Sequence, residues 1–159
     1  MACNPTISDG LADGSVFRKF EHQTSQDVLN GNMVESSQTE PFRDGDIIYA
    51  VSFGQKLDKT KIIYIVPTSE KPNQSVYISK VTLITPTFTL ATEVNDEYVL
   101  TKQENGRYVH DIRIMEDVDF TKIPMDTKSI SIELDYKVDE VQKQIVFELP
   151  AIFYQAPIH

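Results

Sequence analysis

Ser129-Ile130-Ser131-Ile132-Glu133-Leu134-Asp135-Tyr136, followed a few residues later by Gln144-Ile145-Val146-Phe147-Glu148-Leu149, is the stretch that decides the fold. In the first run every even position is apolar and every odd one polar; in the second the odd positions are apolar. Side chains alternate faces along a strand, so each run is a half-buried strand with one dry face. Folded antiparallel about Asp139-Glu140, they pair Leu134 with Ile145, Ile132 with Phe147 and Ile130 with Leu149. All six side chains then share a face, and a one-residue slip would turn one strand's apolar set into water. A two-residue turn prefers Asn-Gly or Asp-Gly, so the expected connection is a four-residue loop from Val138 to Val141 that keeps the same pairing.

Strand signals recur upstream at short spacing. Ile47, Tyr49, Val51 and Phe53 alternate with polar or small residues, and 61–66 is apolar on both faces, as suits a central strand closed by Pro67. Between Ser75 and Thr85 the apolar phase switches from even (Val76, Ile78) to odd (Val81, Leu83), which one inserted residue near Ser79-Lys80 would explain. Phe88 and Leu90 resume after Pro86. Tyr98 and Leu100 begin a further strand, and Asn105-Gly106 turns the chain toward Tyr108, His110, Ile112 and Ile114. Short turns without intervening helices predict an all-β, antiparallel β-sandwich; immunoglobulin-like Greek-key connectivity is favoured over a small barrel.

Two regions are expected. Residues 1–43 read as a polar N-terminal tail, partly docked, in which Val16, Phe17 and Phe20 fit either a short helix or one anchoring strand, and Asn30-Gly31-Asn32 reads as a hairpin turn. Residues 44–159 read as a single sandwich domain. The chain's 159 residues and 40% hydrophobic content support a packed core without metal or disulfide, and the single cysteine, Cys3, excludes an internal disulfide or a multi-cysteine zinc site.

With 24 acids against 15 bases, net charge −9, the chain lacks the basic concentration that phosphate backbones require, so nucleic acid is not an expected partner. No nucleophile elbow, P-loop, HExxH or dinucleotide fingerprint is present, and no cofactor is expected. His22, His110 and His159 are scattered; His110, in phase with Tyr108 and Ile112, reads as a partly buried histidine with a satisfied ring nitrogen. Glu116-Asp117-Val118-Asp119, Asn95-Asp96-Glu97 and Asp44-Gly45-Asp46 gather loop acids but lack the regular spacing of a calcium loop, so no metal is expected. Asn73-Gln74-Ser75 matches the glycosylation sequon. Tyr77, Tyr98 and Tyr154 are the candidate protein-contact residues.

Ala2-Cys3-Asn4 followed by a polar segment resembles the mature start of a bacterial lipoprotein. That resemblance implies acylation of Cys3 and a place in the cell envelope, with the membrane reached only through the N-terminal anchor. The function expected from these readings is a non-enzymatic binding module with an unidentified protein partner. The alternatives are a soluble, cytoplasmic subunit of a phage or secretion assembly, and a hydrolase or lyase using carboxylates such as Asp117 and Asp119.

Overall fold

A computed structural model describes residues 7–8, 16–32 and 34–155. In chain order these form β1 (Ile7–Ser8), β2 (Val16–Phe20), α1 (Gln23–Leu29), α2 (Ser36–Thr39), β3 (Arg43–Asp44), β4 (Ile47–Gln55) and β5 (Lys61–Ser69). There follow β6 (Ser75–Ile84), β7 (Thr89–Val99), β8 (Thr101–Lys102), β9 (Tyr108–Val109), β10 (Ile112–Val118), β11 (Ser129–Val138) and β12 (Val141–Gln155). Single 3-10 turns lie at Glu40–Phe42 and Phe120–Lys122.

The strands make two packed sheets, ordered β1-β2-β12-β11-β6-β7 and β3-β4-β5-β9-β8, with β10 also on β5. Every pairing among the long strands is antiparallel. This is an all-β sandwich. Three main strands (β4, β5, β10) face four (β7, β6, β11, β12); β10 returns beside β5, and β11 beside β6. In immunoglobulin lettering these are an A-B-E sheet and a C′-C-F-G sheet, a Greek-key arrangement.

The β11–β12 register is the one that burial demands: Ile130↔Leu149, Ile132↔Phe147 and Leu134↔Ile145. The turn differs from expectation. Val138 pairs with Val141, so only Asp139 and Glu140 make the connection, with φ of 49° and 66°. Two left-handed residues match the twist of a two-residue hairpin; the buried ladder imposes that conformation on a pair with little preference for it. The inserted residue in β6 is Ser79: Ile78 and Lys80 pair with consecutive residues Tyr136 and Asp135 of β11. Pro67 does not end β5, which runs on to Ser69, with Pro67 opposite Tyr49.

Much of the stretch that read as a polar tail packs onto the sandwich. Of the two readings of Val16–Phe20 the strand forms, pairing with the last third of β12, from Ala151↔Phe20 to Gln155↔Val16. Asn30-Gly31 is no hairpin turn but the end of α1. Gly31 (φ 73°) donates to the Val28 carbonyl and Asn32 to the Asp27 carbonyl, a Schellman closure that needs a left-handed residue after the cap. The same dipeptide serves hairpins and helix ends, and Val28, buried beside the core, selects the helix.

The core centres on β5, β6, β11 and β12, where Ile63, Ile65, Ile78, Val81, Leu83, Ile132, Leu134, Phe147 and Leu149 are fully buried. Phe147 stacks on Phe42 at 5.2 Å and meets the His22 ring edge-on at 5.4 Å, so it joins β12 to the segment that precedes β3. Removing its ring leaves a cavity as well as lost transfer energy. Phe147→Ala should therefore cost about 3–5 kcal/mol in urea unfolding, and a loss below about 1 kcal/mol would contradict this packing.

Candidate functional site

Three features of the surface could serve a ligand. The first is an acidic groove of about 680 Å³ at one end of the sandwich. The Asp44-Gly45-Asp46 turn, Glu97 of β7 and the Asp139-Glu140 turn supply its acids, and Lys137 its base. Gly45 (φ 60°) lets the chain reverse tightly between β3 and β4. At one wall Tyr136 donates a hydrogen bond to Asp44 Oδ2 (2.8 Å), and Lys143 Nζ meets the same oxygen at 2.9 Å. The Tyr49 ring lies 5.0 Å from that of Tyr136. Burial works to raise the Asp44 pKa, but the hydrogen bonds from Lys143 and Tyr136 and the charge of Lys143 outweigh it, and the carboxyl is held below its ordinary range. Tyr136 is pushed up, first by burial and then by its bond to Asp44; Tyr49 is pushed up by burial and by the charges of Tyr136 and Asp44. The cluster ties the two sheets together, and its Asp44 is already engaged twice.

The second feature is a cleft of about 260 Å³ beside β2, lined by Arg18, Glu21, Phe53, Lys61 and Phe120 among others. Arg18, fully buried, shares the inward face with Phe20 and donates to the carbonyls of Phe120 (3.0 Å), Ile123 (3.1 Å) and Pro124 (2.8 Å). Its guanidinium lies 4.7 Å from the Phe20 ring centre. Arg18 thus nails β2 to a turn more than 100 residues away. Sequence reasoning missed it; the available signal was that strand alternation puts Arg18 in phase with Phe20 and Val16.

The third feature is strand β7, which ends the six-stranded sheet. Among the described residues its eleven residues pair with β6 alone, and they include Glu93, Asp96 and Glu97 but no Lys or Arg. A register irregularity sets Val94 and Asn95 (φ 47°) opposite the single Ser79 of β6. The edge at β4 is treated differently: α1 lies along it, and the Ser25 hydroxyl accepts the Val51 N–H at 3.1 Å.

The three tyrosines do not form one surface. Tyr77 is on the outer face of β6, under Lys137 Nζ at 5.1 Å, whereas Tyr98 pairs with Val76 and packs inward, edge-on to His110 at 5.2 Å. His110 is half-buried, with Nδ1 bonded to the Val99 carbonyl at 2.9 Å. Tyr154, at the opposite end of β12, stacks on Phe17 at 5.6 Å and donates to Glu21 at 2.9 Å. Asp117 (φ 60°) pairs with Lys56, and Asp119 caps the following turn through the Thr121 N–H at 3.0 Å, so these two acids flank Val118 with separate tasks. Among the described residues no group of three or more His, Cys, Asp or Glu is placed to hold a metal ion, and no helix is long and apolar enough to cross a membrane. Asn73 is exposed in a turn. Cys3 and His159 lie outside the described residues.

No family model matches the chain, and neither the curated proteins nor the solved structures searched contain a match.

The Asp44 cluster has a titration signature. Spectrophotometric titration should show tyrosines ionising above the ordinary phenol range near about 10, and Asp44→Asn should bring Tyr136 down toward it. The carboxylate's contribution should be present in full above 3.8 and be lost as pH falls through its lower folded value. Identical tyrosine titrations in wild type and Asp44→Asn would contradict the coupling.

Proposed function

We propose that the chain is a non-enzymatic binding module that takes up an extended, basic segment of a partner protein along β7. The observation that carries this reading is the different treatment of the β4 and β7 edges; β10, also paired on one side only among the described residues, mixes Arg113 with Glu116 and Asp117. β4 is covered by α1, with a side chain closing the Val51 amide, while β7 keeps an open, acidic edge. An added strand gains affinity from main-chain hydrogen bonds and specificity from alternate side chains. Two copies of β7 paired edge to edge would bring acids together, and like charges set opposite are destabilising. Lys or Arg on a partner strand would instead meet Glu93 and Glu97, with the groove acids beside them.

A random-peptide display selection against the folded protein tests the reading. Selected peptides should be extended and rich in Lys or Arg, should protect β7 amides from exchange, and should bind at least tenfold more weakly to Glu93→Lys/Glu97→Lys. Peptides that protect other strands and ignore the charge reversal would overturn it. The same open edge would suit a subunit that pairs with a neighbouring chain in an assembly.

The resemblance at Ala2-Cys3-Asn4 supports a bacterial envelope location with Cys3 acylated. More than one acyl chain anchors stably where a single myristoyl is marginal, so the domain itself would need no basic membrane face. Expression of the native reading frame should give membrane association that requires detergent for release and disappears in Cys3→Ser. A freely soluble wild-type product would move the reading to a cytoplasmic subunit.

A further inference from the structure

The N-terminal turn of α1 is closed by an imidazole rather than by a hydroxyl or carboxylate. His22 is the cap residue, and its Nδ1 lies 3.1 Å from the Ser25 N–H and 2.8 Å from Ser25 Oγ. The Ser25 backbone N–H points at Nδ1 and can only donate to it, while the Ser25 hydroxyl oxygen accepts the Val51 N–H of β4 and keeps its own proton available to the imidazole. Nδ1 must therefore be an unprotonated acceptor, with the ring neutral and its proton on Nε2. A protonated Nδ1 would set one N–H against another.

We infer that His22 is a pH-sensitive latch: neutral, it holds the first turn of α1 against the edge of β4, and protonation releases that turn and uncovers the Val51 amide. The ring is held edge-on to Phe42 at 4.5 Å and to Phe147 at 5.4 Å. The charged residues of the elements packed against it are occupied or turned away. Glu21 binds Tyr154, Asp27 binds Gln23, Glu148 binds Ser131 on the outer face, Arg43 reaches Thr39, and Glu40 is exposed. Strand β4 carries no charged side chain at all. Burial accordingly lowers the His22 pKa.

The sign follows. With a folded pKa below the ordinary 6.5, the released state binds more protons between the two values, so the latch is complete above 6.5 and weakens as pH falls through that window. A seven-residue helix is marginal in isolation, so losing its cap matters. The other end is held independently, by buried Val28 and by Arg107 donating to the Val28 carbonyl at 2.9 Å. Release is therefore a hinged opening of one end of α1.

Amide exchange of the full chain between pH 7.5 and 5, corrected for the intrinsic pH dependence, tests this. Protection at Ser25 and Val51 should fall below pH 6.5, by up to about tenfold for each unit that the folded His22 pKa lies beneath 6.5, while Gly31 and Asn32 stay protected. His22→Asn, which caps without titrating, should hold Ser25 and Val51 protected throughout. Nitrogen chemical shifts of wild-type His22 give a test independent of any variant, since the neutral ring must carry its proton on Nε2. Constant protection in wild type, an equal fall in a folded His22→Asn, or a proton on Nδ1 at neutral pH would each overturn the latch.

Discussion

Burial of one alternating face of β11 is the constraint on which the rest depends. Ile130, Ile132, Leu134 and Tyr136 point into the core from a strand bonded on both sides, to β12 and to β6. Each such side chain gains about 1.5–3 kcal/mol on leaving water, and the period of two makes the gain collective, since a slip by one residue forfeits the whole row. Much of the remainder accommodates that ladder. The Asp139-Glu140 turn accepts two positive φ angles to close it, and Ser79 bulges so that β6 can keep both its apolar phases inward. Tyr136, the last of the row, reaches across to Asp44 and so draws the other sheet's first turn against the same ladder.

The sandwich leaves edges, and their treatment links fold to function. Natural sheets guard edges with charge, bulges or covering elements. β4 is guarded by a helix held at its first turn through one serine and one histidine, and at its far end by Val28 and Arg107. β7 is guarded by charge and by the irregularity at Val94-Asn95, which discourage a second copy of itself; on the reading proposed above, its main-chain groups stay open to a strand of opposite charge. A binding surface and a device against aggregation can share the same acids.

How far the sequence could be read follows from the range of the forces involved. The β11–β12 register and the β6 bulge were legible because both are statements about apolar phase, and phase is local. The Asp139-Glu140 turn was not, because intrinsic turn preference is weaker than the ladder that overrides it. Asn30-Gly31 was ambiguous on its face, since a left-handed glycine closes helices as readily as hairpins. Arg18 was missed because its partners, the carbonyls of Phe120, Ile123 and Pro124, are distant; His22 was missed because, although the Ser25 it caps is three residues on, the Phe42 and Phe147 rings that bury it are distant. The candidate tyrosines were chosen by type alone, and residue type does not report that Tyr77 and Tyr98 sit on opposite faces of neighbouring strands.

Whether burial rather than the turn sets the register can be measured directly by inserting one glycine between Asp139 and Glu140 and mapping cross-strand contacts by NMR. If the dry face governs, Ile132 stays opposite the original Phe147 and Leu134 opposite the original Ile145, with the extra residue extruded into a three-residue turn. Contacts displaced by one residue along β12, in a chain that still folds, would contradict the account.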